Sequence, residues 1–367
     1  MIGTGGDPPI RVLIVDDSAV ARQAISRSIR AAGDMTVAGL AGNGRIGLEH
    51  IALDEPDVVV LDLEMPEMDG MAFLREVRTS HPDLPVVVFS ALTDAGAAAT
   101  LAALAAGASA FALKPSALRG FAEGSVDTEL IPQIRALAPH HSRGTTTRGT
   151  TTRAATSHTA DTRASRLPTS LATSSVNAVT VAVSTGGPTA LGILLSAIPA
   201  SLPVPIFVVQ HMPETFTRLL AQRLAANCSL AVVEAHDGQL VRPGVVYVAP
   251  GGHHMLVARE GTSCRIKLDD GPPENSCRPA ADVLFRSAAA VYRGGVLGVV
   301  MTGMGHDGLA GSRALVRAGG SVLVQDPATA VVASMPAAVL AADLAEAALG
   351  LPELAAEIVH RCGGRHR

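Results

Sequence analysis

The stretch VAVSTGGPTAL, residues 181–191, puts a serine where chemistry could happen. A β-branched run stops at Ser184, two glycines and a proline follow, and an apolar helical pattern begins. Such a turn can raise a nucleophile, cradle a phosphate, or simply join a strand to a helix in a parallel sheet. The phosphate reading lacks its parts. No Lys–Ser/Thr closes the loop, this stretch contains no G-x-G-x-x-G, and Pro188 removes a backbone donor. A nucleophilic serine needs a base, because its hydroxyl is inert alone. VPIFVVQHMP (204–213) supplies His211 directly after a second β-rich run, and VVMTGMGHDG (299–308) carries Asp307 in a glycine-rich loop after another. The order Ser–His–Asp is no objection, since triads are defined by geometry. His236, His253, His254 and His306 compete in the same half, but His211 has the strand-end position. Asp307 has an alternative role as a cap for a helix beginning near Gly308.

A second constellation lies in the first half. VDD places Asp16 and Asp17 just after one β-rich run, and LDLEMPEMDG (61–70) places Asp62 at the end of another. Ser90 ends a third such run and Lys114, in a KP pair, ends a fourth. Carboxylates gathered that closely repel, so the set makes sense around a hard divalent cation such as Mg²⁺. A metal-braced Asp62 is suited to accept a phosphoryl group, with Lys114 and Ser90 ready to receive its new oxygens.

The elements that must hold these residues alternate. Strand patterns at 10–15, 35–41, 58–62, 85–91 and 109–114 are separated by helical patterns at 19–31, 44–53, 70–79 and 97–106. After residue 175 strand patterns recur at 179–184, 204–210, 230–235, 244–250, 254–260, 295–303 and 320–326. Helical patterns at 189–198, 215–226, 280–291 and 308–318 lie among them. Parallel strands need crossover helices, so the expected class is α/β, with two doubly wound parallel-sheet domains. One antiparallel excursion is expected near 244–268. The divisions are 1–137, a linker over 138–175, and 176–367. The linker contains RGTTT twice and almost no large apolar residue, so burial cannot offset its ordering entropy and a flexible tether is expected.

Bulk composition excludes several classes. Hydrophobic residues make up 48% and charged ones 17%, which describes a globular chain. A net charge of −4 and no basic recognition helix argue against nucleic acid. Cys228, Cys264, Cys277 and Cys362 form no CxxC pair, which suits reduced thiols of the cytoplasm better than a zinc site. The opening MIGTGGDPPIRVLIVDD has no basic stretch followed by an apolar one, so no secretory signal is expected. The most membrane-like window, 95–113, is mostly alanine and glycine and is expected to be a helix plus a strand, with no membrane insertion.

The residues after those strand ends carry a resemblance. Residues 10–137 resemble a response-regulator receiver domain, which implies a flavodoxin-like fold. By that resemblance Asp62 is the phosphoacceptor, and Asp17 is the main carboxylate for Mg²⁺ with Asp16 as outer helper. Glu64 offers its backbone carbonyl to the metal, Lys114 supports the site, and Ser90 and Phe111 report its phosphorylation. STGGP, QHMP, APGGHHM, DDGPPENSCRPAADVLF and TGMGHDG resemble the catalytic domain of CheB-type protein-glutamate methylesterases over nearly all of 176–349. That implies a Rossmann-like esterase with the triad Ser184, His211 and Asp307, and backbone amides near Thr185 and Met304 as the oxyanion hole. It also implies hydrolysis of glutamyl methyl esters on cytoplasmic chemoreceptor helices, glutamine deamidation in many members, and a chemotaxis-type histidine kinase as phosphodonor. No metal is expected in this half. The rivals are a non-enzymatic response regulator and a serine hydrolase acting on a small soluble ester.

Overall fold

The computed structural model describes residues 8–114, 125–138 and 175–363. The first unit contains β1 (Ile10–Val15), α1 (Ala19–Ala32), β2 (Met35–Ala41), α2 (Gly44–Asp54) and β3 (Val58–Leu61). It continues with α3 (Gly70–Ser80), β4 (Val86–Ser90), α4 (Asp94–Ala105), β5 (Ala110–Leu113) and α5 (Ser125–Leu137). The strands form one parallel sheet in the order β2-β1-β3-β4-β5. β3 and β4 are buried along their whole length, because helices cover both faces of a parallel sheet.

The second unit begins with β6 (Ala178–Val183), α6 (Gly187–Ser196), β7 (Ile206–Gln210), α7 (Glu214–Asn227), β8 (Ala231–Glu234) and β9 (Val245–Val248). A hairpin of β10 (His254–Glu260) and β11 (Ser263–Asp269) follows, then α8 (Ala281–Tyr292), β12 (Val296–Val300) and α9 (Leu309–Arg317). β13 (Ser321–Gln325), α10 (Ser334–Ala341), β14 (Ala347–Leu349) and α11 (Leu351–Gly363) complete it. The main sheet is 7-stranded and parallel, in the order β14-β13-β12-β6-β7-β9-β8.

One sequence expectation shifts. The antiparallel excursion is confined to the β10–β11 hairpin, which forms its own two-stranded sheet, while β9 runs parallel inside the main one. The 95–113 window is α4 plus β5, and among the described residues no helix is long and apolar enough to cross a membrane. Nearly all of the expected linker, 138–175, lies outside the described residues.

Strand order fixes where ligands can sit. In open α/β sheets the crevice opens where chain progression reverses, outside the carboxyl ends of the strands. In the first sheet that point lies between β1 and β3, and in the second between β6 and β12. Asp16 and Asp62 follow the first pair of strands; Ser184 and Met301–Thr302 follow the second.

The two units pack together. Phe111, on β5, stacks on Phe216, on α7, with ring centroids 4.8 Å apart and planes inclined by 12°. Such a pair contributes about 0.5–1.5 kcal/mol beyond its buried area. Thr189 donates to the Leu104 carbonyl at 3.0 Å, and Arg218 Nη2 meets Asp94 Oδ1 at 2.9 Å. Both partners of that ion pair are largely exposed, so it contributes little.

Candidate functional sites

Ser184 follows β6 and His211 follows β7, where Val183 pairs with Gln210 in register. The His211 amide donates to the Val183 carbonyl at 3.2 Å, so the two residues leave the sheet side by side. Among the described residues Ser184 Oγ makes no hydrogen bond, including none to the imidazole. The turn after Ser184 is held from three sides. Its amide donates to Thr302 O at 3.0 Å, its carbonyl accepts from Gly187 N at 2.8 Å, and Gln210 Nε2 donates to the same carbonyl at 2.9 Å. Gly186 needs a left-handed φ of 78°, and a Cβ at Gly303 would lie 2.8 Å from that of Ser184. These glycines keep the floor of the crevice thin.

Asp307 stands behind His211, with Oδ2 2.7 Å from Nε2. The same oxygen accepts from Ala281 N at 2.6 Å, and Oδ1 accepts from Asp282 N and Gly308 N, each at 3.0 Å. Ala281 and Asp282 open α8, so the carboxylate satisfies free amides at the positive end of that helix. The cap read from the sequence for a helix beginning near Gly308 does not form, since the start of α9 has no side-chain cap; the carboxylate instead reaches the start of α8 and the imidazole together. Burial alone would raise its pKa; His211 and the backbone amides outweigh burial and hold it below the ordinary carboxylate value. For His211, burial opposes the charged ring, but Asp307 and the neighbouring Cys277 thiol outweigh it and push the pKa up to about 9.

The amides of Thr185 and Met304 donate to no acceptor among the described residues, whereas those of Ser184, Gly303 and Gly305 are occupied. Thr302 anchors the intervening loops, donating to the Thr185 carbonyl at 2.8 Å and accepting from Val332 N at 3.0 Å. A cavity of about 970 Å³ opens beside Asn177, Pro205 and Tyr292 at the opposite end of the strands, away from Ser184.

In the first unit Asp16, Asp17 and Asp62 bring carboxylate oxygens within 4.8 Å of one another. Lys114 Nζ lies 3.0 Å from Asp16 Oδ2 and 2.7 Å from Asp62 Oδ2. One ammonium among three carboxylates leaves net negative charge, which is the donor set a hard cation prefers. Burial raises the Asp62 pKa, with Asp16 adding to it and Lys114 opposing. Burial opposes the charged form of Lys114, but the carboxylates outweigh it and its pKa is raised. Glu64 is exposed, with its amide 3.5 Å from Asp62 Oδ1. The Ser90 hydroxyl donates to Gly96 O at 3.2 Å, in the first turn of α4. Phe111 is turned to the second unit, on Phe216.

Comparison with known proteins follows the same division. Residues 179–358 match the CheB methylesterase family and residues 12–123 the response regulator receiver domain. A protein-glutamate methylesterase/protein-glutamine glutaminase of Trichodesmium erythraeum is 44% identical, covering 97% of this chain and 100% of its own. The chain belongs to the CheB family. A Nocardioides protein with the same description is 46% identical over 96% of each chain. The crystal structure of the Thermotoga maritima CheB methylesterase catalytic domain aligns with a TM-score of 0.50 at 37% identity, over 51% of this chain and 99% of that one.

Within this CheB-family chain, several residues around Ser184 have no signal in sequence. Gln210 is buried at the end of β7 and steadies the Ser184 carbonyl. Gln133 on α5 accepts at 3.1 Å from the Thr185 hydroxyl, so the receiver unit touches the residue after the serine. Val332, on the loop bonded to Thr302 and Gly303, is buried in one cluster with Leu130, Ile131 and Ile134 of α5. Contacts between elements so distant in sequence leave no periodic pattern. His306 is exposed beside Asp307, and His253 and His254 lie on the β10 side.

Proposed function

We propose that this chain is a phosphorylation-activated serine hydrolase that removes methyl groups from glutamate methyl esters on chemoreceptors and deamidates receptor glutamines. It would act in the cytoplasm, in chemotactic adaptation. The observation that carries the proposal is the strand-end pairing of Ser184 and His211, with Asp307 2.7 Å behind the imidazole. The names of the relatives supply the substrate class. The working division is a receiver over 1–137, a linker over 138–175 and an esterase over 176–367.

In this reading His211 takes the Ser184 proton and the hydroxyl oxygen attacks the ester carbonyl. The amides of Thr185 and Met304 receive the oxyanion, a role in which loss of one donor costs about 10²–10³ in rate. His211 then gives the proton to departing methanol, and water repeats the sequence on the acyl-enzyme. An amide substrate follows the same path with ammonia leaving. The imidazole must be neutral to accept the first proton, so activity in the form described here rises as pH climbs through about 9.

The receiver pocket is assigned to phosphoryl transfer from a histidine kinase to Asp62. Asp17, Asp16, Asp62 and the Glu64 carbonyl would hold Mg²⁺, which when bound neutralises charge on the incoming phosphoryl oxygens. Lys114 takes one of those oxygens. Ser90 releases Gly96 O and turns toward Asp62, and the Phe111–Phe216 stack loosens. In the resting arrangement α5 lies on the loops around Ser184, through Gln133 and the Val332 cluster. Receptor helices cannot reach Ser184 until that contact opens.

Two substitutions test the regulation. Asp62→Ala is expected to keep basal methanol release and to lose all stimulation by a small phosphodonor; stimulation equal to wild type would end the assignment. Gln133→Ala removes one hydrogen bond across the resting contact, a net of about 0.5–1.5 kcal/mol, so basal activity should rise about two- to thirteenfold. The phosphodonor-stimulated rate should stay the same. An unchanged basal rate would mean that α5 does not hold the site closed.

A further inference from the structure

We infer that Asn275 is a positioning residue of the hydrolytic site, stapling the buried Asp282 carboxylate to Asp307 and so fixing the group that orients His211. Its Nδ2 lies 2.9 Å from Asp282 Oδ2 and 3.0 Å from Asp307 Oδ1, so one amide nitrogen gives a proton to each carboxylate. The two acids hold each other's helices. Asp307, on the loop before α9, accepts from the first amides of α8, while Asp282, in the first turn of α8, accepts from Gly311 N of α9 at 2.6 Å. Asp282 is 2% exposed, and burial together with the Asp307 charge raises its pKa. Two carboxylates this close repel in a low-dielectric interior unless a donor sits between them. Asn275 is that donor.

The backbone supports a built arrangement. Glu274 and Cys277 exchange both amide–carbonyl bonds, at 3.1 and 2.9 Å, around a two-residue turn whose central residues have φ of 52° and 62°. Turns with both central residues left-handed prefer glycine, and asparagine is among the few side chains that tolerate the first position. Arg286 of α8 clamps the turn through both oxygens of Glu274, at 2.7 and 2.5 Å. The strained turn therefore delivers the amide to the carboxylates and also sets the Cys277 thiol beside His211. The ionisable groups facing Asp307 are His211 and Glu274 with its partner Arg286, besides Asp282; Cys277 faces His211, and His306, next in the chain, is exposed.

Without the amide, Asp282 Oδ2 loses its partner, and the cheapest remedy is a proton shared between Asp282 and Asp307. Asp307 then offers less negative charge to the imidazolium, whose pKa falls while its stabilisation in the transition state weakens. This inference rests on His211 and Asp307 serving as base and orienting acid, an assignment that wild type and Ser184→Ala test separately. The experiment uses the full-length chain and methylated receptor membranes, with kcat, KM and the pH profile of kcat/KM measured for Asn275→Gly. Glycine suits the left-handed turn, so it deletes the amide without disturbing the backbone. By analogy with groups that orient metal-binding imidazoles, kcat should fall about 10–100-fold with KM nearly constant. The acid limb of the profile should also move to lower pH. Adding Asp282→Asn removes the second charge and supplies a new amide donor, so the double variant should recover rate and limb. An Asn275→Gly enzyme with wild-type kcat, or one that is slower with an unmoved limb and no recovery in the double variant, overturns the inference. If the wild type itself releases no methanol, the functional reading fails instead.

Discussion

Replacing Ser184 by alanine is expected to lower kcat about 10⁶-fold, the usual loss when the nucleophile of a triad is removed. The expectation is sharp because the hydroxyl has no structural duty. Among the described residues Ser184 Oγ makes no hydrogen bond, and the turn is held by its backbone through Thr302, Gly187 and Gln210. The variant should therefore melt within a degree or so of wild type, since a surface-like change away from any packed group alters stability by less than about 0.5 kcal/mol. A serine that merely completed a strand-to-helix connection would give the opposite pattern, lost stability with rate intact. Circular dichroism melting beside methanol release distinguishes the two.

Asp307→Asn is the second large effect, with kcat expected to fall about 10⁴-fold. The carboxylate accepts from His211, from Ala281 and Asp282 at the start of α8, and from Gly308. An asparagine must turn its NH₂ toward some of these donors, so the imidazole loses its partner or the helix start does. Each buried donor left unmet costs about 1–3 kcal/mol, so a drop in melting temperature should accompany the kinetic loss. The pH dependence carries a definite sign. The Asp307 charge helps hold His211 up near about 9, so its removal moves the acid limb of kcat/KM to lower pH while lowering the plateau. A variant with normal rate and unmoved limb would show that Asp307 only caps α8.

Much of this architecture can be read in the chain because each chemical residue is tied to an element with a short-range signature. β-rich runs ending at Asp16, Asp62, Ser184 and His211 mark strand ends, and strand ends in an alternating α/β chain are where sites form. Less legible is the C-terminal stretch, where α10, β14 and α11 follow one another in alanine-rich sequence. A three-residue strand such as Ala347–Leu349 has no room for a period. The stretch 244–250 has the β-branched composition of a hairpin strand and reads as part of the antiparallel excursion; its parallel place between β7 and β8 depends on a tertiary pairing. The surroundings of the triad candidates are hidden for the same reason. Asp307 is legible as an acid in a glycine loop, but its grip on α8, a helix that precedes it in the chain, appears only in three dimensions. Gln133 and Asn275 are ordinary polar residues in sequence and become significant through what they touch, Thr185 in one case and a pair of buried carboxylates in the other.

Hydrolysis of receptor glutamyl methyl esters in the Ser184 crevice can be tested in one assay. Purified full-length wild type and Ser184→Ala would be incubated with methyl-esterified receptor membranes, and released methanol measured against time. Steady release is expected from the wild type, faster with a small phosphodonor and Mg²⁺, and none above background from the variant. No release by the wild type, or equal release by both proteins, would contradict it.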